Sequence, residues 1–260
     1  MVGCKKTMSQ IPITQDASAS AYQIMSYLML DGQIASYTNL LPNEGNLIKD
    51  IYTKMLEDLL NYIKMNKYLD QNQIQILDSN LNRKTIKKLF MPIVYGKTSM
   101  AMANDLKQVL SHYLTHKECW EVAKLCVKFW KEEYPHFDSL MTIVKTIGWI
   151  VSSRGSQVVY RTKFFATVQD YMKKEPVNIW VYDRVKKKRR QVTLRVPTQT
   201  RDRKKSQIST FVNFIHQKDA YIAMSVISDM IVRGYPIYTV HDNFISTADY
   251  CNSLSDIYIV

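Results

Sequence analysis

The stretch YPIYTVHDNFIST, residues 235–247, decides the fold. Two runs rich in β-formers, 235–240 and 244–247, flank His241, Asp242 and Asn243, whose polar side chains suit a tight hairpin tip. That hairpin sits near the C-terminal end and carries a carboxylate, Asp242. A matching element lies at the other end. SQIPITQD, residues 9–16, reads as a short strand and also finishes on a carboxylate, Asp16. Strand–helix opens the chain and helix–strand–turn–strand closes it, so both ends are expected in one sheet.

The intervening sequence is mostly helical. Residues 18–30 place Tyr22, Met25, Met29 and Leu30 near one face, and Pro42 breaks the next segment. Residues 46–65 form a clear amphipathic helix with the stripe Ile48, Ile51, Tyr52, Met55, Leu59, Tyr62 and Ile63. A polar stretch, 70–82, leads to a third helix with Asn80 or Asn82 as its cap. Helices are predicted over 100–115, 117–134 and 137–151. From Val158 the period changes. VNIWVY (177–182) and QVTLRV (191–196) alternate as strands around DRVKKKRR, which predicts a long basic β-hairpin. Residues 219–232 return to helix. The class is α+β, with no internal repeat and no low-complexity linker.

Composition narrows the function. The chain has 260 residues, 46% of them hydrophobic, which excludes general disorder. Lys plus Arg number 35 against 23 acidic residues, a net charge of +12, which calls for a polyanionic partner. No apolar run reaches the roughly 18 residues that span a bilayer. No amphipathic helix with apolar anchors adjoins the basic stretch, so nucleic acid is favoured over a membrane. The N-terminus has neither an apolar signal core nor an Arg-rich transit pattern, and a soluble chain is expected. Four scattered cysteines do not make a disulfide scaffold. Abundant Tyr, Met, Ile and Lys with only 7 Gly and 7 Pro fit an AT-rich coding sequence, such as an organelle element or a phage.

Three constellations carry chemistry. Asp16 and Asp242, brought together across a sheet, would repel one another, and a pair of divalent cations removes that cost. Magnesium takes oxygen ligands, commonly one or two carboxylates plus substrate phosphates. Taken alone, each aspartate is an ordinary turn residue. RKTIKKLFMPIVYG, 83–96, places Arg83, Lys87, Met91 and Tyr95 four apart on one slowly turning helical stripe. Cations at one end suit a triphosphate and the flat ring suits a base or sugar, while Pro92 should kink the stripe. An ordinary amphipathic helix would show the same spacing. The third is the basic run around Arg184, Lys186, Lys187, Lys188, Arg189 and Arg190, continued by Arg195, Arg201, Arg203, Lys204 and Lys205. A β-ribbon carrying such cations fits the DNA major groove, and a solvated loop tip is the alternative. His112, His116, Cys119 and Cys126 contain zinc-type ligands, but they lack the short C-x2–4-C spacing.

In combination these segments resemble the phage-type single-subunit DNA-directed RNA polymerases of phages, mitochondria, chloroplasts and linear mitochondrial plasmids. QDASASAYQ is similar to the first palm motif, with Asp16 at the metal aspartate and Gln23 at its glutamine. NLLPNEGNLIKDIY, 39–52, resembles the segment that follows. Arg83, Lys87, Tyr95 and Gly96 match R-x3-K-x7-Y-G of the fingers. VNFIHQKDA (212–220) resembles the family's P-N-F-V-H-S-x-D-A segment, and HDNF (241–244) the H-D-S-F of its last palm motif. Ala17, Ala19 and Ala21 stand where the family usually has Gly, Cys and Gly, and Asn243 where it commonly has Ser.

The resemblance implies a DNA-directed RNA polymerase performing two-metal nucleotidyl transfer from NTPs to a growing RNA on a DNA template. Asp16 and Asp242, with the Ala17 carbonyl, would hold two Mg2+ ions. Lys87 would face the phosphates near the leaving group, and Arg83 would also meet the triphosphate. Tyr95, Gly96 and His216 would bind substrate around the ribose. The basic hairpin would be the promoter-specificity element. Implied partners are template, promoter, nascent RNA and other polymerase segments, with no membrane. The implied location is a mitochondrion, with a phage-infected cell as alternative. The expected organisation is palm over 1–44, helical fingers over 45–215 with the hairpin at 177–205, and palm again over 216–260. That is a truncated right-hand fold without the family's thumb and promoter domain. Related DNA polymerases share the Lys-to-Tyr-Gly spacing, but usually carry D-Y-S and H-D-E where this chain has DAS and HDN. The other alternative is a catalytically inactive remnant that binds nucleic acid.

Overall fold

A computed structural model describes residues 11–259 apart from 44, 46 and 67. In chain order the elements are β1 (Pro12–Asp16), α1 (Ser20–Met29), α2 (Gly32–Tyr37), α3 (Ile51–Asn66), α4 (Gln71–Asn80), α5 (Arg83–Phe90), α6 (Ser99–Leu110), α7 (His116–Glu133) and α8 (Pro135–Ser153). There follow β2 (Val158–Arg161), β3 (Ala166–Gln169), β4 (Met172–Asp183), β5 (Lys188–Arg201), α9 (Arg203–Val232), β6 (Tyr238–Val240), β7 (Asn243–Thr247) and α10 (Cys251–Ile259). The chain is a mostly helical α+β protein with small antiparallel sheets, as the sequence predicts. It divides into two compact units, one of residues 1–140 with 214–260 and one of residues 141–213.

In the first unit the two chain ends do share a sheet, of order β1-β7-β6. Pro12 pairs with Thr247 and Asp16 with Asn243. Residues 9 and 10 of the predicted strand lie outside the described residues. Phe244 on β7 enters a small core with Val226, Met230, Leu254 and Ile257, which fixes the sheet against α9 and α10. Tyr235 and Tyr250 stack beside it at 4.4 Å.

A second core lies among α1, α3, α5, α6 and α7. Met55, Leu59, Ile86, Leu89, Met102, Leu106 and Cys126 are fully buried there. Its centre is a polar chain inside an aromatic cluster. The Trp130 indole donates to the Tyr22 hydroxyl at 3.1 Å, and that hydroxyl donates to the Phe90 carbonyl at 3.0 Å. Burial, the largest influence, holds the Tyr22 phenol neutral, so it can serve both bonds. A buried aromatic removes about 150–250 Å2 from water, roughly 4–6 kcal/mol at 25 cal/mol per Å2 before entropy is subtracted. The bond to Phe90 thereby fixes the end of α5, the helix that carries Arg83 and Lys87.

Local chemistry explains the boundaries. The Asn82 side chain accepts from the Thr85 N–H at 3.0 Å and starts α5. Pro92 ends it in a single 3-10 turn, Met91–Ile93. Gly96 then turns the chain at φ +85°, a conformation only glycine adopts without strain. The polar stretch 70–82, for which the sequence shows no helical period, contains α4. Asp70 accepts from the Gln73 N–H, and Gln73 returns a bond to the Asp70 N–H, a reciprocal cap that makes a helix from polar residues.

In the second unit, β2 and β3 form one hairpin and β4 and β5 another. Gly148 on α8 is the contact point with α9. A Cβ there would lie 2.0 Å from Thr210 Oγ1 and 3.0 Å from the Ser206 carbonyl, so only glycine allows the approach. The β4–β5 ribbon is longer than expected. It pairs from Met172 with Arg201 to Asp183 with Lys188, with a bulge between Met172 and Lys174. Helix α9 begins at Arg203, not near 219. Arg203, Lys204 and Lys205 therefore lie in its first turn rather than on the hairpin. No helix among the described residues is long and apolar enough to cross a membrane.

Candidate functional site

Asp16 closes β1, and the chain reverses into α1 through Ala17, Ser18 and Ala19. Ala19 adopts φ 61°, ψ 62°, left-handed for a residue with a Cβ, a conformation that costs about 1–2 kcal/mol. Asp242 occupies the β6–β7 turn beside His241, which is also left-handed at φ 57°. The Ala17 N–H donates to the Asp242 carbonyl at 3.2 Å. Asp16 is opposite Asn243, so the two aspartates from opposite ends of the chain are neighbours at one end of the sheet. The Ala17 carbonyl accepts from the Ala19 N–H at 3.0 Å, and its second lone pair is left over.

A third carboxylate joins them. Asp219 on α9 accepts a hydrogen bond from the Ser20 side chain, at the first residue of α1. Burial first, and then the Asp242 charge, push the Asp219 carboxyl above the usual carboxylate range. The Ser20 bond, His216 and His241 work the other way. The half-buried Tyr258 hydroxyl is raised by desolvation and by Asp219, Asp242 and Asp16 together, so all three carboxylates act on one phenol. That hydroxyl donates to Gln23 Oε1 at 2.9 Å, and Gln23 Nε2 donates to the Thr38 carbonyl at 2.8 Å. Gln23 thus braces α1 behind the Asp16 turn. A hollow beside this turn is lined by Asp16, Ser18, Gln23, Asn39 and Tyr258.

Tyr95 and His216 stack with centroids 5.2 Å apart and planes 15° off parallel. Burial, Asp219 and Asp242 raise the Tyr95 phenol, which puts the stacked pair within the field of the carboxylates. Arg83 and Lys87 flank Tyr52, with the guanidinium carbon 5.9 Å and Lys87 Nζ 5.8 Å from its ring centroid. The Tyr52 ring is buried and its hydroxyl has no hydrogen-bond partner among the described residues. Arg83 donates to both oxygens of Asp50, from Nε at 2.7 Å and Nη2 at 2.8 Å. The Arg83 bond, followed by the Thr53 bonds, holds the Asp50 carboxyl down at about 2 against its burial. Lys87 is exposed, so its ammonium reaches solvent.

The basic tip lies in the other unit. Asp183 Oδ1 accepts from the Val185 and Lys186 N–H groups at 3.1 and 3.0 Å and shapes the turn. Lys187 sits at φ 46°, and Arg184, Lys186, Lys188, Arg189 and Arg190 are exposed around it.

Among the described residues, no group of three or more His, Cys, Asp and Glu side chains forms a ready metal cage. The zinc arrangement is not assembled. Cys119 and Cys126 are buried in α7, and burial pushes the Cys126 thiol up to about 12, against the thiolate that zinc requires. Magnesium asks for less. Two hard carboxylates and a carbonyl oxygen, completed by substrate phosphates, are the donor set it takes, and Asp16, Asp242 and Ala17 supply that set.

Sequence reasoning missed the parts Asp219, Ser20, Asp50 and Tyr258 play. His216 and Asp219, three apart, share a helical face, and that spacing was the available signal. The Asp50–Arg83 clamp left none.

Residues 3–258 match the model of a family described as DNA-dependent RNA polymerase. A probable DNA-directed RNA polymerase of Zea mays is 34% identical over 274 residues, which cover 95% of this chain and 25% of that protein. Proteins of the same description from Agaricus bitorquis and Podospora anserina are 26% and 23% identical, over 92% and 90% of this chain and 23% and 28% of their own lengths. The chain spans about a quarter of the length of the curated relatives it matches.

Proposed function

The chain belongs to the phage-type single-subunit DNA-dependent RNA polymerase family, and on that premise we propose that it forms the palm-and-fingers catalytic segment of a DNA-directed RNA polymerase. The observation that carries this is the pairing of β1 with β7, which makes neighbours of Asp16 and Asp242. Members of the family are nucleotidyltransferases that use Mg2+. Two bound ions would activate the attacking RNA 3′-oxygen and neutralise the leaving pyrophosphate.

Asp16, Asp242 and the Ala17 carbonyl would hold those ions. Lys87, exposed beside Tyr52, meets the phosphates and stabilises charge on the leaving group. Arg83 is held by Asp50 through one edge of its guanidinium, so it offers the triphosphate an oriented donor rather than a mobile one. Tyr95, backed by His216, presents a flat face to the ribose of the incoming NTP, and the Gly96 turn brings the chain away from that face. Asp219 holds the start of α1 through Ser20 and keeps the Asp16 turn in register. The basic ribbon contacts promoter and template DNA. The relatives come from a plant and from fungi, which supports an organelle or its plasmid as the chain's location.

The test is primer extension by the purified chain with template, NTPs and Mg2+. Incorporation is expected, with a loss of about a thousandfold or more in Asp242→Asn, as for removal of a group that holds transition-state charge. Extension by the Asp242→Asn chain at the wild-type rate would contradict the assignment. A second reading, nucleic-acid binding without synthesis, draws on the basic ribbon having a compact unit of its own. Wild-type binding with no extension would favour it.

A further inference from the structure

The β4–β5 ribbon has two unlike faces. Opposed residues of an antiparallel pair share a face, and the register assigns them. On one face Val177, Ile179 and Val181 oppose Leu194, Val192 and Arg190. On the other, Trp180 opposes Gln191, Tyr182 opposes Arg189, Asn178 opposes Thr193 and Pro176 opposes Arg195. The bond from Thr193 Oγ1 to Asn178 Oδ1, 2.7 Å, confirms the assignment for this second face. Trp180 is 69% exposed and Tyr182 56% exposed. Large aromatics placed in solvent between arginines are unusual on a strand that gains nothing from burying them.

Groove insertion does not account for these rings. Cations and amides read phosphates and base edges in a duplex, whereas stacked bases leave no π-face for an indole to meet. Unpaired bases do offer that face, and aromatics beside cations are how single strands are held. The spacing agrees. Residues two apart on a strand rise about 6.7 Å, roughly twice the 3.4 Å between stacked bases, so one base fits between two such rings. The chain's charge of +12 supplies the complementarity for a polyanion.

We propose that this face of the ribbon is a platform for unpaired nucleic acid, on which Trp180 and Tyr182 stack with bases while Arg189 and Arg195 hold the flanking phosphates. It deepens the proposed function, since it rests on the ribbon being a nucleic-acid element. It names melted strand, rather than duplex, as what this face takes.

The experiment measures affinity of the full chain for one labelled oligonucleotide, single-stranded and annealed to its complement, by fluorescence anisotropy at fixed salt. Trp180→Ala and Tyr182→Ala should each weaken single-strand binding roughly five- to a hundredfold, the range for removal of a stacking aromatic. Duplex affinity should stay within about twofold, and Trp180→Phe should keep most of the single-strand affinity. Both side chains are exposed, so an unchanged melting temperature should accompany the loss. Equal losses on both forms, or no loss on the single strand, would overturn the platform. The failure of the ribbon's general role looks different. Lys186→Glu with Lys188→Glu would then leave duplex affinity intact, whatever the two rings do.

Discussion

The two compact units use tryptophan in opposite ways. In the unit of residues 1–140 and 214–260, Trp130 is 1% exposed and donates to Tyr22, which in turn fixes the end of α5. In the unit of residues 141–213, Trp180 is 69% exposed on a two-stranded ribbon. The first unit must hold three carboxylates against their mutual repulsion, and it does so with a packed core behind the sheet. The ribbon is held by its hydrogen-bond ladder and leaves its side chains to the solvent. Rigidity is built where charges converge, and exposure on the face proposed to take nucleic acid.

The sharpest way to break that contrast is to truncate each ring. Trp130→Ala should cost about 3–5 kcal/mol, because a cavity opens and the Tyr22 hydroxyl loses its donor. Trp180→Ala should stay within about 0.5 kcal/mol. Denaturant titration of both variants measures this. Comparable costs would mean that the ribbon ring is structural after all.

Salt tests the ribbon next. Six tip cations that meet phosphates should make duplex affinity fall roughly a thousandfold between 50 and 200 mM salt. A nearly flat response, read by anisotropy, would remove the tip from DNA contact.

The sheet end answers to a gentler probe. Asp219→Asn keeps an acceptor for Ser20 and removes a partly buried charge that faces Asp242. The melting temperature near neutral pH should rise by roughly 2–4 °C, the shift that about 1 kcal/mol makes in a domain of this size. A fall would show that Asp219 is more valuable charged than neutral in the free protein.

Smallest is the clamp on Arg83. Asp50 is held at about 2, below its unfolded value near 4. A depressed carboxyl stabilises the fold above the unfolded value. That stability is full above about pH 4 and is lost as pH falls towards 2. Arg83 is half exposed, so the screened contribution is about 0.5–1 kcal/mol. In Asp50→Asn the acid-induced loss of stability between those pH values should shrink by that amount, measured by urea titration at each pH.

What the sequence disclosed divides along the same line. Strands β1, β6 and β7, helices α3, α6, α7 and α8, the second half of α9 and the basic hairpin follow from periodicity, because each buries one face or alternates its residues. α4 did not, since a helix of polar residues shows little apolar stripe. Its cap, Asp70 with Gln73, was the only mark it left. α2 is six residues long, too short for a period to register. The outer ribbon, with Lys174, Glu175 and Pro176, contains poor β-formers that the ladder holds in place. Asp16 and Asp242 could be expected together because strand order and a family resemblance both pointed there. Asp219 and Asp50 act through partners distant in sequence, Ser20 and Arg83, and such pairings exist only once the helices have packed.

The most direct measurement is oxidative cleavage by Fe2+ taken up in place of Mg2+ in the intact chain, with the cuts mapped by mass spectrometry. If Asp16 and Asp242 grip ions together, the backbone should be cut near both 14–20 and 239–244, and excess Mg2+ should suppress both cuts at once. Cutting at one of these segments without the other, or at both with no protection by Mg2+, would contradict the account.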